Sequence, residues 1–162
     1  MSGPPGTVEE SLQVPLPPHE VYAAISDVRP MPEWSPEVIG TWSLGRRFVG
    51  FNRVGPFVWF TTCRIAVAEP GREFAFDVTT FGLPVARWGY RLTPATGGTL
   101  VTEYWIDHRG AGWRRRLVEA LGRTFTGTPP DQRAARNREG MRTTLERFRD
   151  AAERPAAPPP SR

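Results

Sequence analysis

Proton transfer in proteins falls to few side-chain types, and the candidates in this chain are Glu103, Tyr90, Cys63 and the two histidines, His19 and His108. Glu103 stands in GTLVTEYWID, where two alternating sets compete for the inner face of a strand: Leu100, Thr102, Tyr104 and Ile106, or Val101, Glu103, Trp105 and Asp107. In the second arrangement a carboxylate lies among Trp59, Trp88, Tyr90 and Trp105. Burial there is costly, so Glu103 is protonated, hydrogen-bonded to Asn52 or Tyr90, or paired with an arginine. That makes it the best candidate for a general acid or base. In the first arrangement it simply faces solvent. Tyr90 either donates a proton to an enolate or satisfies a backbone carbonyl. Cys63 has no histidine at a partnering position and reads as a small apolar residue. His108 follows the last strand and reads as a solvated loop residue. One thiol and two histidines make neither a disulfide nor a Cys/His zinc site, and no inward carboxylates cluster, so no metal is expected. No glycine-rich turn leads a strand into a helix, so no nucleotide cofactor is expected either.

The chain has 162 residues, of which 39% are hydrophobic and 23% charged, which fits one globular domain. No run approaches the roughly 20 apolar residues of a membrane span, and MSGPPGTVEES lacks the features of a secretion signal, so a cytoplasmic location is expected. All 21 basic residues are arginine, and the formal charge is +4. The excess lies late in the chain, where residues 109–154 hold twelve arginines against six acids. The run Arg114, Arg115, Arg116 suits a phosphate or an acyl-carrier partner, or is the solvated face of a helix. Nucleic acid is not expected as a partner.

The elements that position these residues are legible from periodicity. A strand over 7–14 stops at Pro15, and a helix beginning at Pro18 buries Val21, Ala24, Ile25 and Val28. PMPEWSPE is a constrained turn that fixes Trp34. Six strands follow, near 37–43, 47–54, 57–68, 72–79, 84–93 and 99–107, punctuated by Gly, Pro and Asn. Period-two alternation turns Phe48, Gly50 and Asn52 inward, with Trp59, Thr61, Cys63, Ile65 and Val67, Phe74, Phe76 and Val78, and Trp88, Tyr90 and Leu92. From Trp113 the pattern is helical, with Leu117, Leu121 and Phe125 on one face, until Gly127 to Pro130 interrupt it. A long helix follows, capped by Thr128 and started by Pro129, with an apolar stripe of Met141, Leu145, Phe148 and Ala152. Residues 1–6 and 154–162 are tails, and 7–153 form the domain. The expected fold is α+β: a curved antiparallel sheet of about seven strands, wrapped around a long C-terminal helix, enclosing a cavity.

The opening strand with Pro17 to Val21, SDVRPMPEWSPEV, GRRFVGFNR, TTCRIAVAEPGREFAF, WGYRLTP, GGTLVTEYW and GMRTTLERFRDAAE together resemble the START/polyketide-cyclase (SRPBCC) superfamily, the helix-grip fold. The resemblance covers residues 7–153, and it favours the inward set that includes Glu103. It implies a hydrophobic ligand, polyketide-, aromatic- or lipid-like, held by Trp34, Asn52, Trp59, Phe76, Trp88, Tyr90, Trp105 and Met141. Two functions are implied: cyclase/dehydratase catalysis with Glu103 and Tyr90 moving protons, or non-catalytic carriage or sequestration of a lipid or natural product. An interaction module built on the basic C-terminal helices ranks below both. The chain departs from the family pattern where TGTPPD breaks the usual single long helix, which makes residues 113–127 a separate, lid-like piece. The oligomeric state is left open.

Overall fold

The computed structural model describes residues 6–126 and 132–154. In chain order the elements are β1 (Thr7–Val14), α1 (Pro18–Ser26), α2 (Met31–Trp34), β2 (Val38–Leu44), β3 (Arg47–Val54), β4 (Phe57–Glu69), β5 (Glu73–Thr80), β6 (Leu83–Ala95), β7 (Gly98–Asp107), α3 (Trp113–Thr126) and α4 (Arg133–Glu153). The seven strands form one antiparallel sheet in the order β1-β7-β6-β5-β4-β3-β2. Each strand from β2 to β7 turns back directly onto the next, because Gly and Pro between the β-branched runs leave room only for short hairpins. β1 instead leads through α1 and α2 to the far edge, so the first strand lies beside the last.

Strand bounds agree with the periodicity to within two residues. PMPEWSPE, expected as a constrained helical turn after α1, contains one helical turn, α2. Its Pro32 sits in the first turn, where an absent N–H costs nothing. Register shifts leave Ala66 of β4 and Val85 of β6 as extra residues and bend those strands, as bulges do, and the first puts Val67 opposite Ala75 instead of on the inner face expected from unbroken alternation. The resulting concave face receives α4, which packs against β1 and β7. Along α4 the buried residues are Asn137, Met141, Thr144, Leu145 and Phe148, one face of a 3.6-residue period. Phe74, Met141, Leu145, Val14, Val21 and Val101 are fully enclosed, and each such apolar side chain contributes about 1.5–3 kcal/mol.

α3 is separate from α4 and turns a different face inward from the expected one. Val118 is buried, and Leu121 and Gly122 face the sheet side, while Leu117 is exposed. Arg115 fixes the rotation by pairing with Glu119 at 2.8 Å and reaching Asp107 of β7 at 3.9 Å. The side chain of Phe125 and the expected Thr128/Pro129 start of the long helix lie outside the described residues, as do nearly all of the expected tails. No helix among the described residues is long and apolar enough to cross a membrane.

Candidate functional site

A cavity of about 410 Å³ lies between the concave sheet and the two C-terminal helices, within the size range of small-molecule sites. The strand registers decide its lining. Trp88 stands directly opposite Trp105 and Tyr90 directly opposite Glu103 across β6 and β7. Residues facing each other across a ladder share a face, so the inward alternation of β6 carries Glu103 and Trp105 inward. The two rival arrangements of the last strand are thereby distinguished. Of the residues expected at the site, Asn52, Trp59, Phe76, Trp88, Tyr90, Glu103 and Trp105 line the cavity.

Trp34 and Met141 do not line it. Trp34 is buried in the core, edge-on to Phe148 with ring centroids 5.5 Å apart, so it anchors the proline-rich turn. Met141 is enclosed behind the wall, against Trp105, Val8 and Ala86. Both positions follow from α4 pressing its apolar stripe onto the sheet, which leaves only a space of about 10 Å³ beside Trp34.

Glu103 is only 3% exposed. The Tyr90 hydroxyl donates to its Oε1 at 3.2 Å, while Oε2 is buried without a hydrogen-bond partner. Burial raises its pKa from 4.5 to about 8, with the Tyr90 hydrogen bond acting in the opposite direction. Glu103 is therefore a neutral carboxylic acid at pH 7. Glu10, which stands opposite Glu103 on β1, is paired with Arg138 and Arg142 of α4 at 3.2 and 3.8 Å. Tyr90 is itself held well above its usual pKa by burial and by the neighbouring carboxyl. Asn52 donates to the Gly50 carbonyl at 3.1 Å and lies 3.4 Å from Thr61 Oγ1 rather than at Glu103. Cys63 also lines the wall, where burial pushes its thiol up to about 12, far from the thiolate form that attacks carbonyls. His108 sits beyond the end of β7, with Nδ1 3.8 Å from Asp77.

At the mouth the structure adds residues that sequence reading missed. Arg109 clamps Asp107 with two side-chain hydrogen bonds of 2.8 and 2.7 Å, and Arg136 reaches Glu37 at 3.2 Å. Arg133 lies nearby, its pKa lowered by burial and by Arg136 and Arg109 despite the opposing pull of Glu37. From α4, Asn137 faces the cavity with its Nδ2 buried and unpartnered. These residues come from the segment before β2, from the end of β7 and the loop after it, and from α4, far apart in the chain, and no local pattern marks them. The site can hold an apolar, flat molecule against indole rings and meet its polar atoms with a neutral acid and an amide.

A family described as polyketide cyclase/dehydrase and lipid transport has a model that matches residues 5–153. The chain belongs to this family. Its START/SRPBCC fold is shared by a Polyketide_cyc-like protein from Corynebacterium glutamicum, 26% identical over 91% of both chains with a TM-score of 0.55. A START superfamily protein from Mycobacterium smegmatis is 12% identical over 91% of this chain and 97% of that one, with a TM-score of 0.61. The di-domain ARO/CYC from the steffimycin biosynthetic pathway is 14% identical with a TM-score of 0.67, and the match takes 91% of this chain but 50% of that one. No curated protein matches the chain. Membership in the cyclase/dehydrase and lipid transport family accords with a ligand cavity and leaves the ligand to be argued from the wall.

Proposed function

We propose that the protein binds a hydrophobic, ring-containing small molecule in this cavity and that Glu103 exchanges a proton with it. The observation that carries the reading is the neutral, buried Glu103 with its unpartnered Oε2 among three indoles. A fully enclosed polar atom without a partner costs about 1–3 kcal/mol, a cost that a bound acceptor relieves. The family's cyclase/dehydrase and lipid transport activities and the ARO/CYC likeness support the same reading.

In this mechanism the indoles stack on the ligand and exclude water. As negative charge develops on a ligand carbonyl oxygen during aldol condensation or enolisation, the Glu103 O–H passes its proton to that oxygen. The Tyr90 hydroxyl then stabilises the carboxylate left behind. Transfer of a proton back from ligand or solvent restores the neutral acid.

The second reading, a carrier that sequesters its ligand, rests on the predominantly apolar lining and dispenses with proton transfer. Native mass spectrometry of the purified protein, with organic extraction of what co-purifies, names a ligand. Glu103→Gln and Tyr90→Phe should then abolish turnover of it while leaving Trp-fluorescence quenching by the ligand intact. Unchanged turnover in both variants sinks the catalytic role, and ligand binding without turnover in the wild type assigns the carrier role.

A further inference from the structure

One group of exposed apolar side chains lies around the opening of the cavity, and a second, Ile39, Trp42, Leu44 and Phe51, lies on the edge strand β2 and its neighbour β3. The β3–β4 arm brings Val58 and Phe60, the β5–β6 hairpin brings Phe81, and α3 brings Trp113 and Leu117. Trp113 is 68% and Phe81 63% exposed. Val58, Phe60 and Phe81 also line the cavity, as do Val118 and Leu121 of α3, the helix that carries Trp113 and Leu117 and packs against β4 and β6. Contiguous apolar surface of this kind marks a place where something docks.

Phe81 supplies an independent sign. Phe81 and Gly82 have φ of +49° and +76°. Such a pair of positive angles belongs to the two-residue hairpin turn for which Asn-Gly or Asp-Gly is the favoured sequence. Among the described residues Phe81 is the only non-glycine in this conformation, which is unfavourable for a bulky side chain. Its ring meets Phe60 edge-on at 6.0 Å and still projects outward. An aromatic kept where the turn disfavours it points to use at the tip.

The charge beside this rim decides the occupant. α3 opens with Trp113-Arg114-Arg115-Arg116, and Arg115 is taken up by Glu119 and Asp107. Arg114 and Arg116 are exposed and have no ion-pair partner among the described residues. The Arg114 guanidinium lies 5.6 Å from the centre of the Trp113 ring. Arginines beside an outward Trp and Leu on one helix match the chemistry of a bilayer surface, where indoles settle at the headgroups and guanidinium groups attract anionic lipid.

We propose that α3 and the β5–β6 hairpin tip dock on a bilayer that contains anionic lipid, so that the cavity opens onto the membrane and its hydrophobic ligand passes without crossing water. Docking needs the rim alone, and it stands or falls separately from proton transfer by Glu103.

Co-sedimentation with phosphatidylcholine vesicles, with and without phosphatidylglycerol, tests it. The wild type should pellet with the phosphatidylglycerol vesicles and release as salt is raised. Arg114→Glu with Arg116→Glu should lower partitioning at least ~30-fold, from about fivefold per basic residue removed. Phe81→Asn with Trp113→Ala should also weaken it. Because asparagine tolerates positive φ, Phe81→Asn should leave the melting temperature unchanged or higher, which separates lost docking from lost fold. Arg147→Glu, toward the other end of α4, should change nothing. Equal binding to neutral vesicles, no binding to either kind, or indifference to the α3 charge reversal overturns the proposal. A dimer seen by light scattering and abolished by the Phe81 and Trp113 substitutions also overturns it, by assigning the rim to a second copy of the chain.

Discussion

Replacing Glu103 with glutamine tests the electrostatics of the cavity without any ligand. The wild-type carboxyl has a folded-state pKa of about 8, against 4.5 for the exposed group. Below pH 4.5 both states hold the proton and Glu103 adds no pH dependence. Between pH 4.5 and 8 the folded chain keeps a proton that the unfolded chain has released, so stability falls as pH rises, by about 1.4 kcal/mol per unit. At pH 7 this amounts to about 3 kcal/mol relative to the acid side. Glutamine is neutral throughout, and its amide oxygen can still accept the Tyr90 O–H. The variant should therefore match the wild type near pH 4.5 and exceed it by about 3 kcal/mol at pH 7, with the gap levelling off above about pH 8. Urea unfolding of both chains across this range, extrapolated linearly, measures the gap. Taking the difference cancels the acid-side titration of Asp27, Asp77 and Asp107, which both chains share. Parallel stability curves for the two chains would refute a buried, neutral Glu103 and with it the proposed acid.

Two further outcomes follow from packing. Cys63 is buried, with its thiol raised to about 12, so a thiol-directed disulfide reagent near neutral pH should label it at the rate of global unfolding; rapid labelling of the native protein would show that water enters the inner wall freely. A Cβ on Gly89 would collide with the Tyr104 ring and hydroxyl, and that ring is held by its 2.6 Å hydrogen bond to Glu73 and by Arg91 over its face at 4.6 Å. Gly89→Ala should thus cost about 1–3 kcal/mol in urea unfolding, and the added substitution Tyr104→Ala should remove much of that excess penalty; additive effects would mean the ring yields freely.

The sequence by itself determined the element order, the strand bounds and much of the sheet side of the cavity wall. Alternation along β3 to β6 suffices to turn Asn52, Trp59, Phe76, Trp88 and Tyr90 inward, because a strand's side-chain period is fixed by backbone geometry. It likewise fixed the buried stripe of α4 from Met141 to Phe148, since every fourth or third residue meets the same surface. The inner face of β7 was different, for both alternating sets there contain large apolar residues. Only pairing with β6, Tyr90 opposite Glu103 and Trp88 opposite Trp105, made the choice. The rotation of α3, which hid Val118 and exposed Leu117, depended on Arg115 finding Glu119 and Asp107. Tertiary structure alone assembled Arg109, Arg133, Arg136 and Asn137 at one opening. It also seated Trp34 on Phe148 instead of on the ligand wall. Local pattern reports which face of an element is apolar, whereas the neighbour that covers that face is set by contacts between residues remote in sequence.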